Sequence, residues 1–235
     1  MSHDASATPD DGPRDLIIVG AGEFAEIAYE YFTHDSPYTV VGFSVEQAFL
    51  DKPTLYDLPV VPLETIADAY PPDRFRVFVA VTYTKLNTVR ERLFGALQAQ
   101  GYRFASYVSS RAFVWPSVPV GDNVFVFENN VIQHGAAIGD DVVLWSGNHI
   151  GHRSVIEDHC YLASHVVVSG YCRIGANSFV GVNATFADHV TVGRDCLIGA
   201  GALILANVPE DTIVPGVGSK PATVSSRRFH RVGKR

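Results

Sequence analysis

The chain has 235 residues, a formal net charge of −7 and 47% apolar residues, so burying a core presents no difficulty, and one large or two small domains fit the length. An acidic balance with no block of basic residues in the body of the chain argues against a nucleic-acid or anionic-membrane surface, and a phosphorylated ligand would need local positive sites. No apolar run approaches a membrane span, and residues 1–14 are acidic and polar instead of basic and then apolar, so a soluble cytoplasmic protein is expected.

Asp15-Leu16-Ile17-Ile18-Val19-Gly20 is a short apolar run closed by glycine, and Glu23 to Phe32 then carries apolar residues at helical spacing. That pattern predicts strand, tight turn and helix. Further apolar runs at 38–43, 58–61, 75–81 and 104–108 alternate with helical stretches near 64–70 and 85–100, the order of a small parallel α/β domain, placed at residues 15–108. Within it, Gly20-Ala21-Gly22-Glu23-Phe24-Ala25 is a G-x-G-x-x-A variant whose backbone N–H groups can hold a phosphate at a helix N-terminus, although a plain tight turn explains it almost as well. A nicotinamide dinucleotide is not expected, because too little chain precedes the next segment for two mononucleotide-binding halves. Tyr83, Lys85 and Asn87 follow the run at 75–81, at the strand end where ligands collect in open α/β sheets, and are candidate acceptor contacts.

From Val114 the period changes to six, with an aliphatic residue or Phe186 at every sixth position through Val120, Val126, Ile132 and so on to Ile204. The position four residues later holds small residues, among them Asn130, Asn148, Ser154, Ala184 and all three cysteines, Cys160, Cys172 and Cys196. Six residues make one flat face and a turn, and three such units close a coil of about eighteen residues whose strands stack about 4.8 Å apart. The predicted fold is therefore α/β followed by a parallel β-helix over residues 109–222. The cysteines fall at inward positions, which makes them core filler instead of a nucleophile, a disulfide framework or a metal set.

The repeat turns sequence into columns, and one outward column reads Pro116, His134, His152, Gly170, Asp188, Ala206. Acyl transfer from a thioester needs a base for the attacking amine or hydroxyl and a donor for the developing oxyanion. His152 is the candidate base and the Gly170 N–H the candidate donor. Asp188, two coils or about 10 Å away, is expected to lie too far to orient His152, whereas His134 is one coil away and can orient it or touch substrate. His149 is a further candidate contact; His159 and His165 are expected to be structural, and decoration of a wet outer face is the plain alternative for the whole group.

A small Rossmann-like domain followed by uninterrupted hexapeptides with a histidine of this kind resembles the sugar O-acyltransferase family, which includes sialic acid O-acetyltransferases and bacterial nucleotide-amino-sugar N-acetyltransferases. The likeness spans residues 15–222. It implies a left-handed winding and a homotrimer holding acetyl-CoA between neighbouring solenoids, with a sugar or nucleotide sugar in the N-terminal domain. It also implies His152 as base and Gly170 at the acyl carbonyl, and no metal. The coenzyme arm would run beside Gly181, Asn183, Gly199, Ala200 and Gly201, with Lys220 near a phosphate. On the acceptor side the candidate contacts are Gly20, Gly22, Glu23, Phe24 and Glu46, together with Tyr83, Lys85, His134 and His149. Three positions depart from the family pattern: Arg153 stands where many relatives carry glutamate beside the base, Phe24 replaces a histidine in the Gly-rich turn, and Phe43-Ser44-Val45-Glu46 lacks paired aspartates.

The expected activity is acetyl-CoA-dependent N-acetylation of an amino sugar, with O-acetylation of a sugar hydroxyl open to the same residues. From other classes, a hexapeptide zinc hydratase of the carbonic-anhydrase type and a non-catalytic scaffold remain as alternatives; the first would use histidines on adjacent coils and chains. The basic ending from Arg227 to Arg235 reads as a solvated tail.

Overall fold

The structure is a computed structural model that describes residues 12–231. The acidic start before residue 12 and the last part of the basic ending lie outside the described residues.

The first apolar run becomes strand β1 (Asp15–Val19), buried after its first residue, and leads into helix α1 (Glu23–His34). Gly20 between them has φ +134°, and a Cβ there would lie 2.6 Å from the Ala80 carbonyl oxygen, so the turn requires glycine. Strands β2 (Thr39–Val45), β3 (Thr54–Leu55), β4 (Leu58–Pro62), β5 (Arg76–Val79) and β6 (Arg103–Phe104), with helices α2 (Ile66–Ala69) and α3 (Thr88–Ala99), complete the α/β part. The sheet order is β3-β4-β2-β1-β5-β6, parallel except for the β3–β4 hairpin. The chain moves outward from β1 to β4 and then returns to β5 on the other side of β1. The C-terminal ends of β1, β2 and β5 therefore open at a topological switch point.

The run at 104–108, read from the sequence as one strand of this domain, is split. Arg103–Phe104 pairs with β5, whereas Tyr107–Val108 pairs with Phe125–Val126 of the repeat region. Val108 already stands one repeat before Val114, so the six-residue register begins there.

The repeats wind into a parallel β-helix with three faces. The first face contains Tyr107–Val108, Phe125–Val126, Val143–Leu144, Tyr161–Leu162, Phe179–Val180, Leu197–Ile198 and Ile213–Val214. Phe113–Val114, Val131–Ile132, His149–Ile150, Val167–Val168, Thr185–Phe186 and Leu203–Ile204 build the second, and Ala137–Ile138, Val155–Ile156, Arg173–Ile174 and Thr191–Val192 the third. Coil-to-coil hydrogen bonds are regular, as in Val131 N–H to Asn148 O and His149 N–H to Val166 O, both 2.9 Å. The aliphatic series forms one continuous buried core down the axis.

The small inward positions fill the corners. Where they are polar they satisfy backbone groups: Val166 N–H donates to Asn148 Oδ1 at 2.7 Å and Cys172 N–H to Ser154 Oγ at 3.0 Å. The three cysteines are buried there as free thiols. Burial pushes the Cys160 thiol up to about 12 and raises Cys172 and Cys196 as well, so none is a thiolate at neutral pH.

The α/β part packs against the first face. Phe24, Phe32 and Phe78 share a cluster with Phe125, Phe127, Val143 and Tyr161. Beside that face, at the corner joining the third face to the first, fully buried Arg90 of α3 pairs with Asp141 at 3.0 Å and donates to the Asp141 and His159 carbonyls, both at 2.9 Å. Asp141 also holds His159 Nδ1 at 2.8 Å and accepts from Asn123 Nδ2 at 2.7 Å. His159 is thus a structural part of the docking seam, as its position suggested.

Candidate active site

The three faces meet at three corners, and nearly every coil turns each corner with a residue in the left-handed backbone region. The corner before the first face uses Asn123, Asp141, His159, Asn177 and Asp195; the one after it uses Asn129, Gly147, His165, Asn183 and Gly201. The corner between the second and third faces uses Gly135, Arg153 (φ +58°), Tyr171 (φ +57°) and His189 (φ +64°). Left-handed backbone costs an ordinary L side chain about 1–2 kcal/mol, and residues held this way cluster at functional sites. This corner concentrates bulky side chains in that state, and the His134, His152, Gly170 and Asp188 column runs along it.

His152 is exposed, with its backbone N–H donating to Gln133 Oε1 at 2.9 Å. Its ring leans over the next coil. A Cβ on Gly170 would lie 2.5 Å from His152 Cε1, 2.7 Å from Nε2 and 3.0 Å from Nδ1, so any larger residue would push the imidazole aside. Tyr171 meets the same ring edge-on at 5.2 Å, stacks on His189 at 4.9 Å and lies under the Arg153 guanidinium at 5.9 Å. Gln133, Tyr171 and His189 were not singled out from the sequence, although they occupy columns next to the one that was.

One expectation about this column changes. The Gly170 N–H, expected to await an oxyanion, donates to Asp188 Oδ1 at 2.8 Å. Asp188 makes no hydrogen bond to His152, as expected of a residue two coils away, but it reaches the very glycine that the His152 ring covers, because both side chains extend along the column toward Gly170. His134 packs its ring against Trp115 at 5.7 Å. His149 is half-buried on the outward row of the second face, and His165 lies over Gly147, where a Cβ would be 2.8 Å from its ring.

The residues expected along the coenzyme arm sit at a different corner. Gly181, Asn183, Gly199, Ala200 and Gly201 lie between the first and second faces, across the second face from His152. A Cβ on Gly181 would lie 2.6 Å from Ala200 N and one on Gly199 2.1 Å from Gly216 N, so coil stacking alone demands these two glycines. Asn183, Ala200 and Gly201 are exposed, as is Lys220 in the segment after the last strand.

At the switch point of the α/β sheet is an open cleft of about 600 Å³, lined by residues 19–24, Val45, Glu46, Phe49, Asp51, Leu63, residues 80–82, Thr84, Val89 and Leu93. Gly20, Gly22 and Glu23 line it as expected, and Gly22 leaves open space where a Cβ would stand. Phe24 borders the cleft but its ring is buried against Phe78, Phe125 and Trp145. Glu46 is at the rim with its carboxylate held by Arg92 in two hydrogen bonds of 3.0 and 2.9 Å. Tyr83 and Lys85 are not among the lining residues. Tyr83 packs on Tyr161 and Phe179 at 5.2 and 4.5 Å, and neighbouring Asn87, buried, donates to the Asn177 and Ser178 carbonyls. These residues hold the two parts of the chain together, while Thr82 and Thr84 turn to the cleft. Polarity after a strand marks both roles alike, so the sequence did not separate them.

The corner between the second and third faces lies opposite the first face, against which the α/β part is packed. Cleft and His152 thus stand on different sides of one chain. Among the described residues no group of three or more His, Cys, Asp or Glu side chains converges as a metal set, and no helix is long and apolar enough to cross a membrane.

The bacterial transferase hexapeptide (six repeats) model matches residues 138–170 and 171–206. No curated protein sequence matches the chain. Among solved structures, the acetyltransferase domain of PglB from Neisseria gonorrhoeae in complex with acetyl coenzyme A superposes with a TM-score of 0.78 at 25% identity, covering 90% of this chain and 100% of that one. PerB from Caulobacter crescentus, in complex with CoA and GDP-perosamine, gives 0.77 at 25% identity, covering 88% and 96%. A histidine-to-asparagine mutant of perosamine N-acetyltransferase from the same organism, with the same two ligands, gives 0.77 at 24% identity, covering 88% and 95%. The shared architecture is a Rossmann-like domain followed by a left-handed β-helix. Repeat, winding and two-part architecture together make this chain a hexapeptide-repeat enzyme of the acyltransferase class.

Proposed function

We propose that the chain transfers the acetyl group of acetyl-CoA to the amine of a nucleotide-linked amino sugar, with His152 as general base. The observation that carries this reading is the seating of the His152 imidazole on Gly170, which leaves an exposed base beside a backbone N–H at a bare position. His152 takes the proton of the attacking amine, the Gly170 N–H steadies the tetrahedral oxyanion, and the C–S bond breaks with the proton passing to the departing thiolate. In the neighbour solved with CoA and GDP-perosamine, a histidine is the residue replaced. The acceptor belongs in the cleft at the switch point. Its lining carries Glu23, Glu46 and Asp51 and no lysine or arginine, so the diphosphate of such an acceptor rests on the N–H groups at the start of α1, beside the space that Gly22 leaves open.

The site is completed by neighbouring copies. The outward row of the second face, Phe113, Val131, His149, Val167, Thr185 and Leu203, is largely apolar, with Leu203 61% and Phe113 54% exposed. A closed ring of copies meeting around that face sets the Asn183, Ala200 and Gly201 corner of one chain beside the His152 corner of the next, a heterologous contact that closes as a homotrimer. The coenzyme then lies between two chains and the acceptor cleft faces a neighbour's base.

The test is release of free thiol from acetyl-CoA against a panel of nucleotide-linked amino sugars and plain sugars, wild type beside His152→Ala. Turnover with an amine acceptor that is lost in the variant, with acetyl-CoA still bound, supports the reading. Turnover that survives the substitution moves the base elsewhere, and turnover only with hydroxyl acceptors replaces N- by O-acetylation.

A further inference from the structure

The Gly170 N–H that the proposed mechanism uses is engaged by a carboxylate in the free protein, at 2.8 Å from Asp188 Oδ1. From the other side, the edge of the His152 ring that carries both nitrogens rests over the same glycine. Base, donor and carboxylate thus occupy successive coils of one column and converge on one residue. No carboxylate hydrogen bond to the His152 ring exists among the described residues, and Arg153, next in the chain, supplies none: its guanidinium lies over Tyr171. An imidazole that accepts a proton during transfer benefits from a nearby negative charge, whereas an oxyanion growing at Gly170 is opposed by one on the same N–H.

We propose that Asp188 is a two-position carboxylate that positions His152: it caps the Gly170 N–H in the free enzyme, yields that N–H to the thioester carbonyl, and turns toward His152 as counter-charge to the imidazolium. The exchange is within reach. Successive coils are about 4.8 Å apart, the His152 ring already bridges to Gly170, and Asp188 is exposed. As the amine nitrogen bonds to the acyl carbon, its proton passes to His152 and the carbonyl electron pair moves to the oxygen on Gly170 N–H. When the C–S bond breaks, that pair returns, the proton leaves His152 for the thiolate, and Asp188 recaps the N–H. Acetyl-CoA and amine become amide and CoA with nothing left over.

This assignment rests on the acetyl-transfer reading, and binding and turnover test the two separately. Affinities for acetyl-CoA and for CoA are measured by calorimetry on the full chain, wild type beside Asp188→Ala, Asp188→Asn and Asp188→Glu. Turnover is then measured for each with the nucleotide-linked amino sugar that wild type uses best. Asp188→Ala is expected to bind acetyl-CoA several-fold more tightly relative to CoA, because the carbonyl no longer displaces a carboxylate, while kcat falls by about 10-fold or more for want of the counter-charge. Asp188→Asn, which still caps Gly170 but has no charge, is expected to lose kcat with little change in the KM for acetyl-CoA, and Asp188→Glu to recover part of it. Wild-type kcat in Asp188→Asn would reduce the residue to a corner cap and overturn the proposal, as would an unchanged acetyl-CoA to CoA affinity ratio in Asp188→Ala. Wild-type protein that binds neither compound overturns the acetyl-transfer reading itself.

Discussion

Gly170 shows how one position serves the backbone and the chemistry together. Its lack of a side chain lets the edge of the His152 ring rest over the next coil, so Gly170→Ala is expected to displace the ring without unfolding the helix. The expected result is a loss of kcat approaching that of His152→Ala, about 10²–10⁴-fold for removing a general base, with far-ultraviolet circular dichroism and acetyl-CoA binding retained. Single-turnover kinetics beside calorimetry check both variants, and near-normal turnover in Gly170→Ala would mean that the ring acts from another position. A different residue contributes to the acid limb of stability. The Asp35 carboxyl is held below its usual range, first by the Tyr107 hydroxyl at 2.6 Å and then by the Ser110 N–H at 2.9 Å. A carboxylate whose pKa is lower folded than unfolded stabilises the protein above its unfolded pKa and stops doing so as pH falls through the folded one. Between about pH 5 and pH 3, wild type should therefore lose melting temperature more steeply than Asp35→Asn; parallel curves by thermal scanning would remove Asp35 from the acid limb.

At the scale of elements, α3 is tied to the β-helix through one buried charge. Arg90 and Asp141 are both fully buried, and Asp141 is shared with His159 and Asn123. Removing one partner of such a pair leaves the other unpaired in a dry environment, at a cost of about 3–5 kcal/mol. Arg90→Ala should accordingly lower the unfolding free energy from denaturant titration by that amount, whereas Arg92→Ala, whose pair with Glu46 is at the exposed cleft rim, should change stability by less than about 1 kcal/mol. Equal effects would show that the seam does not depend on the buried ion pair. Within the solenoid, Leu162→Ala removes a fully buried side chain from the axial core, for an expected loss of about 2–5 kcal/mol.

For the whole molecule the decisive fact is angular. The α/β part covers the first face and His152 stands at the opposite corner, so in the proposed ring the acceptor cleft and the base of each site would come from different chains. This gives a complementation test. Gly22→Trp starts from a position with open space for its Cβ and should fill and inactivate the cleft alone, with retained folding checked by circular dichroism. His152→Ala should inactivate the base alone. Co-expressed, the two inactive chains should regain about a quarter of wild-type turnover through mixed rings. No recovery in assemblies shown by mass spectrometry to be mixed would place both parts of the site in one chain.

The six-residue period was legible without coordinates because a solenoid writes its geometry locally: each coil repeats the same constraint on a side chain such as Ile132, Ile150 or Val168, and columns follow from counting. That is why the shared column of His152 and Gly170 and the buried role of Cys160 could be read from spacing, and why Gly20 at the strand-to-helix turn was identifiable. Side-chain reach was not written in that period. The lean of His152 over Gly170 and the reach of Asp188 to its N–H depend on rotamers in three dimensions, so counting coils did not show that both side chains meet at one glycine. Likewise Tyr83 and Asn87 read as ligand contacts because polar residues after a strand look alike whether they meet ligand or another part of the fold. Only the tertiary structure, by choosing which face the α/β part covers, turned them into a docking seam and set the cleft and the base on opposite sides of one chain.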